Sequence, residues 1–239
     1  GGRQGVKASA GLIFTFLCIL FVYLPLVYRG WSPFWVSVLL CVFTTVVTLY
    51  LIGGPTRKTA VATLGTVAGV IIAGVAATAF SAASGISGWN VSDIESLLTL
   101  SYTNNVRVGG LLFSGLLISS LGAVMDVAMS IASAIGEVHA QNPALSAKEL
   151  FRAGMRVGRD MMGTDSNTLI LAFAGSNISM LVLDYAYNLP YQQIINSNNI
   201  GIAIMQGLAG SFGIVLCVPL TVLICTFLFH TGADKIKEV

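Results

Sequence analysis

Ser9-Ala-Gly-Leu-Ile-Phe-Thr-Phe-Leu-Cys-Ile-Leu-Phe-Val-Tyr-Leu-Pro-Leu-Val-Tyr28 runs from position 9 to position 28 without a charged residue. The hydrocarbon core of a bilayer is about 30 Å thick, and a helix of about 20 apolar residues crosses it. Lipid offers backbone amides no hydrogen-bond partner, so a single run of this kind must cross as a helix. The run is too long for a signal-peptide core, and no small-x-small cleavage site follows it. It reads as the first span of the protein.

Five similar runs follow, near 32–52, 59–80, 108–128, 165–184 and 205–229. The expectation is an all-α fold: a polytopic integral membrane helical bundle of about six transmembrane helices, one domain over 1–239. The apolar run of the sixth extends back to Ile200, which would make a helix of about 45 Å. Pro219 can kink it, and Gly207, Gly210 and Gly213 permit close helix approach. Composition agrees. Of 239 residues, 55% are hydrophobic and 9% charged, against about 25% charged in soluble domains. Mean hydropathy is +0.85. A net charge of +2 gives no reason to expect a nucleic-acid partner.

The positive-inside rule orients the bundle. With the N-terminus in the cytoplasm, the inner segments hold Arg3, Lys7, Arg57, Lys58, Lys148, Arg152, Arg156, Arg159, Lys235 and Lys237. The outer segments hold only Arg29 and Arg107. An N-in, C-in arrangement follows, and an even number of spans is required for it.

Two connections are long. The outer one, 81–107, mixes Trp89, Ile94, Leu97, Leu98 and Leu100 with polar residues and predicts an amphipathic interfacial helix. The inner one contains a capping box, Ser146 with Glu149 three residues later. That box predicts a cytoplasmic helix over 146–162 whose Lys148, Arg152, Arg156 and Arg159 form a basic stripe. Lys148, Arg152 and Arg156 suit anionic lipid headgroups or an acidic partner.

Asp126 is a carboxylate in an otherwise apolar run, about 27 Å along the fourth helix and near its cytoplasmic end. Gly122, Asp126, Ser130 and Ser133 share one helical face. The start of the fifth span supplies Arg159, Asp160, Asp165, Asn167 and Thr168 at a similar depth. Two readings stand. In one, Arg159 neutralises Asp126 or Asp160 and the remaining groups tie helices together. In the other, Asp126, Ser130, Arg159, Asp160, Asp165, Asn167 and Thr168 line an inner vestibule that binds a cation or proton. Ser176, Asn177, Ser179 and Gln206 would extend a polar path outward.

No catalytic constellation competes with these. Gly85-Ile-Ser87-Gly88 matches the GxSG string of rhomboid proteases, but Ser87 falls in the outer loop and His230 at the inner end of the last span. A serine–histidine pair needs hydrogen-bond reach. Asp126 and Asp184 fall on opposite membrane faces, which excludes an aspartyl dyad. Asn90-Val-Ser92 is a glycosylation triplet without a secretory context. Cys18, Cys41, Cys217 and Cys225 lie in apolar runs without a CxxC pair, and His139 and His230 are far apart. The expectation is therefore no enzyme and no cofactor, with no metal assigned.

The strings Gly122-Ala-Val-Met-Asp126-Val-Ala-Met-Ser130-Ile-Ala-Ser133, Gly158-Arg159-Asp160-Met-Met-Gly163-Thr164 and Asn167-Thr168-Leu-Ile-Leu-Ala-Phe-Ala-Gly175 resemble the YibE/F-like family of bacterial membrane proteins. So do the opening Gly2-Arg3-x-Gly5-x-Lys7-Ala8 and Gly53-Gly54 after the second span. The resemblance covers nearly the whole chain. It implies a multi-pass protein of the bacterial plasma membrane, in a functionally uncharacterised family for which transport is the general expectation. It also implies relatives with a further N-terminal span and an extracytoplasmic domain, so a short member or a fragment is expected. Paired members imply a homologous partner chain; a homo-oligomer is the other expectation. It assigns no catalytic residues. The leading functional expectation is a permease or transport-complex subunit. A non-transporting scaffold for another membrane protein and a lipid-acting enzyme are the alternatives.

Overall fold

The computed structural model describes residues 2–86, 89, 94–104 and 106–237, with the side chains at 3, 4, 94, 96, 100, 103, 104 and 230–237 outside the description. Ser87, Gly88 and the triplet at 90–92 lie outside the described residues, as do the side chains of Arg3, His230, Lys235 and Lys237. In chain order the elements are α1 (Gly2–Cys18), a π-helical turn (Ile19–Tyr23), α2 (Leu24–Tyr28), α3 (Pro33–Gly53), α4 (Arg57–Ser84) and α5 (Ile94–Asn104). A 3-10 turn (Val108–Gly110) leads into α6 (Leu111–Gln141), then α7 (Ala147–Ser176), α8 (Ile178–Ala186), α9 (Tyr191–Ile195) and α10 (Asn198–Lys237). No strand occurs among the described residues.

Five stretches are long and apolar enough to cross a bilayer: Gly5–Tyr28, Pro33–Gly53, Arg57–Ser84, Val108–Gln141 and Asn198–Phe229. Helices α7 and α8, bent by 48°, make a sixth when taken as one broken span. The protein is a helical membrane bundle.

Local chemistry sets the breaks. Pro25 has no amide to give to the carbonyl four residues back, and the π-turn just before it relieves the ring's clash. Gly54 ends α3 at φ +69, where a side chain would be strained, and Thr56 then caps α4 by accepting from the Thr59 amide. At Ser146 the amide donates to Glu149 Oε2 (3.0 Å) and the Glu149 amide donates to Ser146 Oγ (3.4 Å). The helix started by that box does not stop near 162. It continues to Ser176. The interruption comes at Asn177, because the Asn177 amide group and the Ser176 hydroxyl both donate to the Phe173 carbonyl, each at 2.8 Å. That carbonyl is drawn away from the helical ladder, and the chain bends.

Four helices, α4, α6, α7 and α10, build the main core, with Val61, Leu116, Leu117, Val124, Ile131, Leu150, Ile214 and Val218 fully enclosed. Helix α3 joins this core through Cys41 and Leu49. The α1–α2 segment packs on α3 through Cys18, Tyr23, Val27, Val36 and Leu40. Its outer side shows Leu12, Ile13, Phe16 and Phe21, as a lipid-facing helix should.

The largest interface is α4 on α10. A Cβ on Gly69 would stand 2.5 Å from Val124 Cγ1, 2.9 Å from Cys217 Cβ and 3.2 Å from the Gly213 carbonyl. One on Gly213 would stand 2.8 Å from Ala73 Cβ. The two backbones touch. Gly69→Ala is expected to lower stability by about 1–3 kcal/mol, seen as a lower unfolding temperature in detergent. Gly122→Ala, where an added Cβ meets nothing within 4 Å, should hold or raise that temperature, since alanine favours the helix. Equal behaviour of the two variants would refute the close-packing account.

The capping box also predicts a pH dependence. Hydrogen bonds from the Ser146 side chain and backbone hold the Glu149 carboxyl below its ordinary value of 4.5. The folded value is the lower one, so the box contributes fully above 4.5 and is lost as pH falls through the depressed value. Amide protection in the first turn of α7, corrected for intrinsic exchange, should therefore drop on acidification, and Glu149→Gln should abolish that step. A step that survives the substitution would assign it elsewhere.

Candidate functional site: a polar seam between α6 and α7

Helices α6 and α7 run antiparallel. Gly158 sits against Ile131 and Val218, and Gly154 against Ile135 and Val222. Higher up, Leu169 meets Gly210 beside Ser120. This register brings Asp126 level with Gly163. The apolar side of the basic helix is thus docked on α6 and α10 through Leu150, Gly154 and Gly158. Lys148, Arg152 and Arg156 remain exposed on the opposite side.

Asp126 does not point into the bundle. Gly115, Ser119, Gly122, Asp126 and Ser130 are all exposed, at spacings of four, three, four and four, so they form a single line on α6. On α7, Asp160, Gly163, Thr164, Asn167, Thr168 and Gly175 are also exposed, with Asp160, Thr164 and Asn167 on the side away from Gly154 and Gly158. A Cβ added at Gly115, Gly122, Gly163 or Gly175 would meet nothing within 4 Å. No large apolar side chain is exposed anywhere on α6, whereas α1, α3, α4 and α10 all expose several.

By the register above, Asp165 on α7 lies close to the level of Asp126. The sequence offered Arg159 as its partner, but Arg159 is exposed. Six residues separate Arg159 from Asp165. At about 100° per residue they point about 120° apart; Asp165, seven residues beyond Gly158, shares the docked face of α7, whereas Arg159 lies about 100° off it. Two carboxylates therefore share the α6–α7 seam. Among the described residues no third His, Cys, Asp or Glu joins them in a metal-type cluster. Thr168 returns its hydroxyl to the Thr164 carbonyl (2.9 Å), within its own helix. The Ser166 hydroxyl is buried without a partner.

The suggested outward path is different in kind. Asn177 lines an apolar recess of about 290 Å³ with Ile170, Leu181, Ile204 and Gly207, and its amide is spent on Phe173. Ser119 and Gly115, which lengthen the α6 line, were missed in the sequence although the same spacing marks them.

The fold and this seam define a polytopic helical membrane protein with a polar, small-residue face on α6. Residues 1–231 match the YibE/F-like protein family, and the chain belongs to it. No curated protein and no solved structure matches.

Since Arg159 is exposed and outside the seam, Arg159→Gln should change stability by no more than about 0.5 kcal/mol in chemical or thermal unfolding of the purified protein. A loss of about 3–5 kcal/mol, the signature of a broken buried pair, would restore the Asp126–Arg159 reading.

Proposed function

We propose that the chain is a subunit of a membrane transport assembly, in which a second copy or a homologous chain covers the α6–α7 face. Asp126 and Asp165 form its ion- or proton-sensitive pair. The observation that carries this is the composition of that face. Lipid-facing helices of this chain present Leu, Phe, Trp and Val, while α6 presents Gly, Ser and Asp. A polar, small-residue face with a carboxylate offers little to hydrocarbon, so it is favoured against protein or water. Small residues let another helix approach closely. Two neighbouring carboxylates repel until a cation or proton is shared between them. Ser130 adds a hydroxyl on the same α6 face as Asp126. The cytoplasmic side of the bacterial plasma membrane is the setting this reading implies, with Lys148, Arg152 and Arg156 against anionic headgroups.

The test is flux in liposomes loaded with a pH-sensitive dye, driven by a potassium gradient. Asp126→Asn is expected to abolish cation- or proton-dependent flux while the protein still folds and assembles. Unchanged flux in a folded variant would exclude Asp126 from the role. The glycine line Gly115, Gly122, Gly163, Gly175 equally suits a scaffold that binds a partner membrane protein. No flux from the wild type together with a stoichiometric partner would favour that second reading.

A further inference from the structure

The opposite end of the bundle holds a recess of about 760 Å³ that the seam does not use. Arg29, Ser32, Ser101, Arg107, Gly109 and Gly110 are among the residues that line it, and none of its lining residues among the described ones is acidic. Arg29 and Arg107 are the two cations that charge bias leaves on the non-cytoplasmic side. They are 78 positions apart in sequence, yet both face this one cavity, and both are exposed to it rather than buried in structure. Neither is joined to a carboxylate among the described residues.

Two helix starts converge on the same space. Helix α3 begins at Pro33 behind Ser32, whose side chain makes no capping bond, and α6 begins at Leu111 behind the 3-10 turn, whose Arg107 and Val108 carbonyls accept from the Gly110 and Leu111 amides. A Cβ on Gly110 would stand 3.3 Å from Pro33 Cδ and 3.4 Å from the Phe34 amide nitrogen. The two N-terminal ends therefore abut. The first amides of a helix lack acceptors within it, and the helix dipole makes that end positive. Guanidinium groups match the oxygens of a tetrahedral oxyanion with paired donors.

We propose that this recess is an oxyanion site, in which Arg29 and Arg107 clamp a phosphate-type group and the paired helix starts add positive potential. The group is either a free phosphate or the headgroup phosphate of an anionic lipid. The site is independent of the Asp126–Asp165 seam and holds whether or not the chain transports anything.

The test uses the full chain in nanodiscs. One arm titrates inorganic phosphate into phosphatidylcholine discs by calorimetry. The other compares retention of phosphatidylglycerol and phosphatidylcholine by native mass spectrometry. Phosphate binding that weakens about tenfold or more for each of Arg29→Gln and Arg107→Gln supports a free-anion site. Selective phosphatidylglycerol retention that both substitutions remove, without phosphate binding, supports a headgroup site. Lys148, Arg152 and Arg156 are intact in both variants, so lipid held at the basic helix does not enter the difference. The variants Arg29→Lys and Arg107→Lys keep the charge and are expected to bind at an intermediate level, which separates loss of the site from loss of the fold. Wild-type protein that binds neither probe, or binding that glutamine leaves unchanged, would overturn the proposal.

Discussion

The close approach of α4 to α10 governs this bundle. Gly69 and Gly213 meet backbone to backbone, and Gly65 lies so near Thr221 that an added Cβ would stand 2.1 Å from its hydroxyl. Cys217 stands between them, its thiol 3.3 Å from the Gly65 carbonyl. With these two helices fixed at short distance, α6 has one groove to occupy, and Val124 fills it against Gly69. Helix α7 then closes on α6 and α10 through Gly154 and Gly158. Glycine on one helix facing a branched side chain on the next recurs at each step. It is a packing solution suited to lipid, where burial of apolar surface supplies little drive and dispersion contacts must do more.

That chain of contacts decides which way α6 turns. Its large residues, Leu116, Leu117, Val124, Val127, Ile131 and Ile135, all go inward. What remains outside is a line of glycine, serine and one aspartate. On α1 the division is the reverse: little is buried and Leu, Ile and Phe face out. The contrast within one chain separates a helix with an apolar outer side from one with a polar, small-residue outer side. It carries more weight than Asp126 alone, since a single carboxylate near a span end can reach water by itself.

The spans, the capping box and the basic helix were legible because their signals are local. A charge-free run, a serine three residues before a glutamate, and four cations at helical spacing need no knowledge of neighbours. The bend at Asn177 was local too, but Ser176-Asn177 reads in sequence as ordinary polar glue. The partner of Asp126 was not legible. Arg159 and Asp165 are both within reach of its depth, and the choice depends on how α7 is rotated, which Gly154 and Gly158 settle by docking. Nor was the recess between Arg29 and Arg107, since it exists only because the starts of α3 and α6 abut.

Helix α6 links the two polar regions. Its first turn borders the arginine recess, and Asp126 lies fifteen residues beyond Leu111, about 22 Å further along the axis. A helix is stiff over that length, so a shift of α6 against its neighbours is felt at both ends together. The two sides of α6 differ in what they oppose to such a shift. Val124 is seated against Gly69 and Ile135 against Gly154, which locks the inner side. The outer side, from Gly115 to Ser130, carries no side chain large enough to interlock with anything. Whatever lies against that side meets a nearly smooth surface, and the position of α6 is set by the glycine contacts of the core rather than by its exposed face.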